Sequence, residues 1–173
     1  LRAPEQQSGG RRGVATHTAL SLLKDAPWRA AAGTPALLAE VTRQVAALAA
    51  RRLLTPEEAS LVDCASLTRF LESPWGQGAL GAQTVRREWS FNLRLPELDG
   101  LIVQGVIDLC YVQEGAWVLV DYKTDRVADL DALWALYGAQ VQLYRRALAQ
   151  ATGLPVREAA LYSLALGKGE ARA

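Results

Sequence analysis

Apolar residues recur along this chain with two periods, and the switch between them follows Gly76, Gly78 and Gly81. Before it, the spacing is helical. Val14, Leu20 and Leu23, with small residues between, predict a short helix over 14–23 that carries His17 in its early turns. Pro27-Trp28 then predicts a turn. Thr34-Pro35 has the form of an N-cap followed by a first-turn proline, and Leu37, Leu38, Val41, Val45 and Leu48 continue at helical spacing to Arg51. Thr55-Pro56-Glu57-Glu58 repeats the signal and predicts a second helix through Leu61, Val62, Leu67 and Phe70, closed by Pro74. The two are expected to form an antiparallel pair within 34–74.

Beyond the glycines, Trp89, Phe91, Leu93 and Leu95 alternate with Glu88, Ser90, Asn92 and Arg94, the period of a half-buried strand. Pro96 to Gly100 predicts a turn, 101–111 a second strand rich in β-branched residues, Glu114-Gly115 another turn, and 117–123 a third strand, together a meander. A long helix is expected over 129–150, ended by Gly153-Leu154-Pro155. A last strand over 159–166 follows it. A helix of that length between strands is the geometry of a crossover onto a parallel neighbour. The expected class is therefore α/β, a mixed sheet flanked by helices. Residues 1–12 are polar and Gly-containing, and read as a linker or loop of a larger protein ahead of a single domain over 13–173.

Composition narrows the chemistry. With 173 residues and 50% hydrophobic content the chain can bury one substantial core. The formal net charge of +1 means that any nucleic-acid surface is a local patch, not a basic body. Cys64 and Cys110 are too few for a disulfide framework, a four-thiolate zinc site or an iron–sulfur cluster, which leaves a reducing, cytoplasmic setting as the expectation. No apolar run approaches the roughly 20 residues of a membrane span. A start at Leu1-Arg2-Ala3-Pro4 in a chain without methionine reads as a fragment of something longer. Sixteen Arg against three Lys make each lysine informative, because a compact, titratable amine does work that Arg does not.

Candidate chemistry lies on the two strands joined at Glu114-Gly115. Asp121 and Lys123 are two residues apart and so share a strand face, and the short connection brings Asp108 alongside. Two adjacent carboxylates repel, and a bound hard cation such as Mg²⁺ is one remedy. With a lysine beside them, these groups can assemble metal-assisted phosphodiester hydrolysis. A lone D-x-K arises by chance in chains of this length, so the tripeptide carries little by itself.

The pattern continues, however, in Arg12-Gly13-Val14-Ala15-Thr16-His17, Arg87-Glu88-Trp89-Ser90-Phe91, Gln104-Gly105-Val106-Ile107-Asp108, Asp121-Tyr122-Lys123-Thr124-Asp125-Arg126 and Gln140-Val141-Gln142-Leu143-Tyr144. In this ordered set the chain resembles the RecB-like nucleases of the PD-(D/E)XK type, most closely the C-terminal nuclease domain of AddA-type helicase–nucleases, over 12–167. The resemblance implies a restriction-endonuclease-like core. It also implies that His17, Asp108, Asp121 and the Tyr122 carbonyl ligate Mg²⁺, with Mn²⁺ able to substitute. Lys123 would be the catalytic lysine, Glu88 a supporting acid, and Gln140 and Tyr144 the contacts to DNA. Relatives with an iron–sulfur cluster carry four cysteines, so the resemblance points to the branch without one. The chain has no phosphate loop, which places any ATP site outside it.

The implied function is a DNA exonuclease acting on single strands, in the same polypeptide as a helicase and beside a second subunit, in double-strand break repair and recombination. Two alternatives stay open. One is a stand-alone RecB-like exonuclease or a nuclease of a phage or mobile element. The other is an inactive module of the same fold that binds DNA or a partner.

Overall fold

A computed structural model describes residues 4–24, 33–95 and 99–172, without the side chains of 4–9, 95 and 101. The predicted turn at Pro27-Trp28 and most of that at Pro96–Gly100 lie outside the described residues. The chain divides into two compact units. The first is Leu1–Leu80 with Lys123–Arg126 and Leu164–Gly167; the second is Gly81–Tyr122, Val127–Ser163 and Lys168–Ala173.

The first unit is helical: α1 (Pro4–Leu22), α2 (Thr34–Ala50), α3 (Pro56–Leu61), α4 (Cys64–Glu72) and α5 (Pro74–Gly81). Three expectations change here. Residues 4–12, expected as linker or loop, are the first turns of α1, so that helix is about twice its predicted length. The second predicted helix is broken in two, because Asp63 leaves helical geometry to cap α4, accepting from the Ser66 amide. Pro74 opens a helix where it was expected only to close one, since a first-turn proline has no helical hydrogen bond to lose. α3 begins with a complete capping box between Thr55 and Glu58.

Apolar faces join these helices. α2 packs on α4, and α1 on α3. Leu37, Val41, Val45 and Leu48 are the buried stripe of α2. Gln44 is buried in that stripe, where its side chain closes two hydrogen bonds on the backbone of Lys24, at 2.8 and 3.1 Å. The chain can bury this amide because both its ends are satisfied.

The second unit is a five-stranded sheet in the order β1 (Val85–Leu95), β2 (Leu101–Gln113), β3 (Ala116–Lys123), β4 (Val156–Ser163) and β5 (Lys168–Ala171). β1, β2 and β3 form the antiparallel meander that the alternation predicts. Glu114 and Gly115 both have positive φ, 51° and 76°, as a two-residue hairpin turn requires. The helix α6 (Leu130–Thr152) then crosses over; Asp129 caps its start, and Gly153 ends it in the left-handed conformation.

β4 lies beside β3 and runs parallel to it. The Trp117 amide donates to Pro155 just before β4, and Leu164, just after β4, donates to Lys123. β4 starts three residues earlier than predicted and ends at Ser163, and β5 pairs with it antiparallel. Sequence reading missed β5, whose four residues carry no alternation and are held by edge pairing. Leu119, Leu133, Val141, Leu148 and Leu161 belong to the core between α6 and the sheet.

Candidate active site

Asp108 belongs to a strand whose neighbours are nearly all apolar, yet its carboxylate is buried, at 6% exposure, and Asp121 is buried at 1%. Register brings the two together. β2 and β3 pair as Leu109↔Val120, Cys110↔Leu119 and onward to the hairpin. One step beyond Leu109↔Val120, that register sets Asp108 across from Asp121. Asp108 Oδ2 there accepts the Tyr122 amide at 3.0 Å, which ties the Asp108 carboxylate to the strand that carries Asp121.

Glu88 enters from β1. The register runs through Arg87↔Leu109 and Trp89↔Ile107, which sets Glu88 opposite Asp108. Carboxylate oxygens of the two lie within 4.8 Å. Glu88 has φ 48°, in the left-handed region that a residue with a Cβ enters at a cost of about 1 kcal/mol or more. Alternation also slips here. Ile107 and Cys110, three apart on β2, both join the core against α6. Glu88 and Asp108 thus meet where the sheet departs from regular pleating.

Tyr144 faces the same carboxylates from α6. Burial, then the charges of Asp121 and Asp108, push its phenol above the ordinary tyrosine range. Gln140 Nε2 donates to the Tyr144 hydroxyl at 2.8 Å, one helical turn away. The Tyr144 oxygen accepts there, leaving its own proton to donate elsewhere. Gln140 Oε1 is buried with no hydrogen-bond partner among the described residues.

Two supporting residues were missed as members of the site. The Phe91 ring meets Tyr144 edge to face with centroids 5.2 Å apart. Gly105 makes room for both rings: a Cβ on it would stand 2.6 Å from Phe91 Cζ and 3.0 Å from Tyr144 Cε1. A glycine inside a strand signals such a close approach and was the available clue.

The remaining candidates are placed by their own elements. Tyr122 is buried, and its phenol is pushed well above its usual range by burial and then by the charges of Asp108 and Glu88. Its hydroxyl donates to the Asp108 carbonyl at 3.4 Å. Lys123 is half-buried, the last residue of β3, two along from Asp121. His17 is half-buried on α1 in the first unit. The structure thus brings Glu88, Asp108, Asp121, Tyr122 and Tyr144 together in the second unit, while His17 and Lys123 belong to the first.

Comparison with known proteins bears on this arrangement. The PD-(D/E)XK nuclease superfamily model matches residues 1–172. The chain is similar to an ATP-dependent helicase/nuclease subunit of Acetivibrio thermocellus, 36% identical over 138 residues, covering 71% of this chain and 11% of that protein. It is similar to the protein of the same name from Geobacillus thermodenitrificans, 37% identical over 143 residues, covering 71% of this chain and 12% of that protein. The counterpart from Clostridium acetobutylicum is 30% identical over 176 residues, covering 94% of this chain and 14% of that protein. This chain therefore spans only 11% to 14% of these relatives' length. Its carboxylates on paired strands, the lysine two places on and the mixed sheet with its crossover helix agree with the family match, and the chain belongs to the PD-(D/E)XK nuclease superfamily.

Proposed function

We propose that this domain hydrolyses DNA phosphodiester bonds with Mg²⁺, or Mn²⁺ in its place, held by Asp108 and Asp121. One observation carries the reading: two carboxylates are buried on adjacent strands with a third acid beside them. Desolvating an ion costs several kcal/mol, and a like charge alongside adds to that cost. A hard cation repays both. The donor set fits it, being carboxylate oxygens without a thiolate. The sequence resemblance adds the Tyr122 carbonyl and His17 as ligands. A bound cation polarises a phosphoryl oxygen and lowers the pKa of water.

The chain's own groups supply the rest. Lys123, on the Asp121 face of β3, orients the attacking water and offsets charge developing on the phosphate. Tyr144, its oxygen engaged by Gln140, donates a hydrogen bond to a phosphate oxygen and keeps its proton. Gln140 steadies that phenol and presents its amide to the DNA strand, and Glu88 supports the ion from β1. The relatives carry the name of ATP-dependent helicase/nuclease subunits. That name supports a domain of a helicase–nuclease subunit. The sequence reading adds the rest of the proposal: a C-terminal position in a cytoplasmic helicase–nuclease, exonucleolytic cutting of single strands in double-strand break repair and recombination, and a second subunit as partner. Among the described residues no helix is long and apolar enough to cross a membrane.

Digestion of linear single- and double-stranded DNA with Mg²⁺, beside EDTA and Asp121→Ala, tests the reading. The expected result is metal-dependent cutting, faster on single strands and absent from the variant. Cutting that persists in EDTA or in Asp121→Ala overturns the assignment.

A further inference from the structure

Within the helical unit, a cavity of about 170 Å³ is lined by Arg12, Thr16, Asp63, Ser66, Thr124 and Arg126. Three features make it more than a surface dent. The Arg12 guanidinium is fixed: Nη2 donates to the Thr124 carbonyl at 2.9 Å, and no described carboxylate pairs with it. Arg126 is exposed and has neither an ion pair nor a hydrogen bond among the described residues. Thr16 lines the cavity although it is only 4% exposed, and its hydroxyl makes no hydrogen bond to a described residue.

Asp63 is the one acid on the wall, and it is already engaged. Its Oδ1 accepts the Ser66 amide at 3.1 Å, and its Oδ2 the Ser66 hydroxyl at 2.6 Å. Two guanidiniums therefore face one carboxylate committed to capping α4. The wall is also held in place, since a Cβ at Gly13 would come within 3.2 Å of Thr124 Oγ1, so α1 lies close against this loop. Planar guanidinium forks and aliphatic hydroxyls are the groups that hold phosphate oxygens. The sequence supplies the address, because Thr124 and Arg126 follow Lys123 by one and three residues.

We propose that this cavity is a phosphate subsite, seating one phosphate of the bound nucleic-acid strand between Arg12 and Arg126 with the hydroxyls of Thr16 and Thr124. The assignment rests on the nuclease reading and extends it: the strand is gripped beside the catalytic lysine by groups that take no part in the chemistry. Specificity is for the backbone, not for base identity.

The test is the affinity of the full chain for a fluorescein-labelled oligothymidylate in EDTA, by anisotropy across a salt series, with 5′-hydroxyl and 5′-phosphorylated strands compared. Arg126→Gln and Arg12→Gln should each weaken binding roughly 10-fold, the scale of one charge-assisted contact. Each should lower the salt slope by about one charge. Thr16→Val should act in the same direction more weakly. Loss confined to the 5′-phosphorylated strand would assign the cavity to a terminal phosphate, and equal loss on both to an internal one.

Arg126 is a surface residue, so its variant keeps the fold, which circular dichroism checks. Affinity and salt slope unchanged in both arginine variants overturn the subsite, and cleavage then still stands or falls by its own assay. Affinity lost in these variants from a protein that cuts no DNA would instead keep the subsite and remove the nuclease reading.

Discussion

In the helical unit Asp63 sits at the start of α4 with both oxygens accepting hydrogen bonds from Ser66, and its carboxyl is held below the usual range. Burial works against that shift, and the Ser66 bonds and Arg69 outweigh it. In the sheet unit Asp108 and Asp121 are buried on strands surrounded by hydrophobic residues, with Glu88 strained beside them. The first carboxylate organises its own neighbourhood, one turn of helix. The other two are buried close to one another on adjacent strands, with Asp108 bonded across to the Tyr122 amide. A carboxylate that caps a helix lowers the energy of the fold, whereas buried carboxylates set together raise it, a cost that the proposed cation site would offset.

The sharpest way to break this comparison is to neutralise one acid of each kind. Asp121→Asn should cut DNA cleavage by at least about 10³-fold while the metal-free protein melts at the same temperature or a few degrees higher, as expected for relieved like-charge repulsion. Mg²⁺ should raise the melting temperature of the parent and not of the variant. A variant that unfolds, or keeps cutting, removes the distinction between the two units.

Alkaline pH addresses chiefly the sheet unit, since in the helical unit only the Cys64 thiol, among the described residues, is raised by burial. Burial lifts the Cys110 thiol to about 12, and burial followed by the Glu158 charge lifts the Tyr111 phenol to about 12. Burial raises the Tyr122 phenol in the same direction. Protons held more tightly in the folded state stabilise it fully below the unfolded pKa values, about 8.5 for Cys and 10 for Tyr. That stability, of the order of several kcal/mol, is lost as pH rises toward 12. Chemical denaturation followed across pH 8 to about 12 should show falling stability. A flat profile would mean that these groups open to solvent without unfolding.

Two glycines sharpen the contrast in packing. A Cβ at Gly76 would stand 2.3 Å from the Phe70 carbonyl oxygen and 2.6 Å from Leu71 Cα, whereas at Gly105 it meets the rings of Phe91 and Tyr144. Backbone cannot yield and rings can. Gly76→Ala should cost about 3 kcal/mol, and Gly105→Ala about 1–2. Gly105→Ala should also slow cleavage, because displaced rings carry the Tyr144 hydroxyl with them. Unfolding curves set beside cleavage rates separate the two effects.

The smallest expected effect belongs to the caps. Asp63→Ala should cost about 1 kcal/mol and leave the metal-dependent stabilisation intact. Thermal melts with and without Mg²⁺ read both quantities.

How legible the molecule was varies with how local its causes are. The strands of the meander could be read because alternation is a property of neighbours along the chain, and the hairpin because Glu114-Gly115 can take two positive φ values. α6 announced itself through its periodicity and Gly153. Other features needed partners the sequence does not name. Gly9 and Gly10 lie inside α1, where propensity argues for a loop. Val62 continues a helical spacing that the Asp63 cap interrupts, and β5 exists through its pairing with β4.

The site divides in the same way. Asp121 and Lys123 share a face by strand geometry alone, and the ordered motifs name the family. Sequence by itself thus determined the chemistry on offer and the elements that carry it. Tertiary structure decided the cross-strand register that sets Glu88 and Asp108 together, the depth at which the carboxylates lie, and the packing that brings the Tyr144 phenol under their charge. It also decided the cavity assembled from α1, α4 and the loop after β3. Local pattern records what one segment prefers, whereas burial and like-charge proximity are properties of segments brought together, and they acquire a value only once the chain has closed on itself.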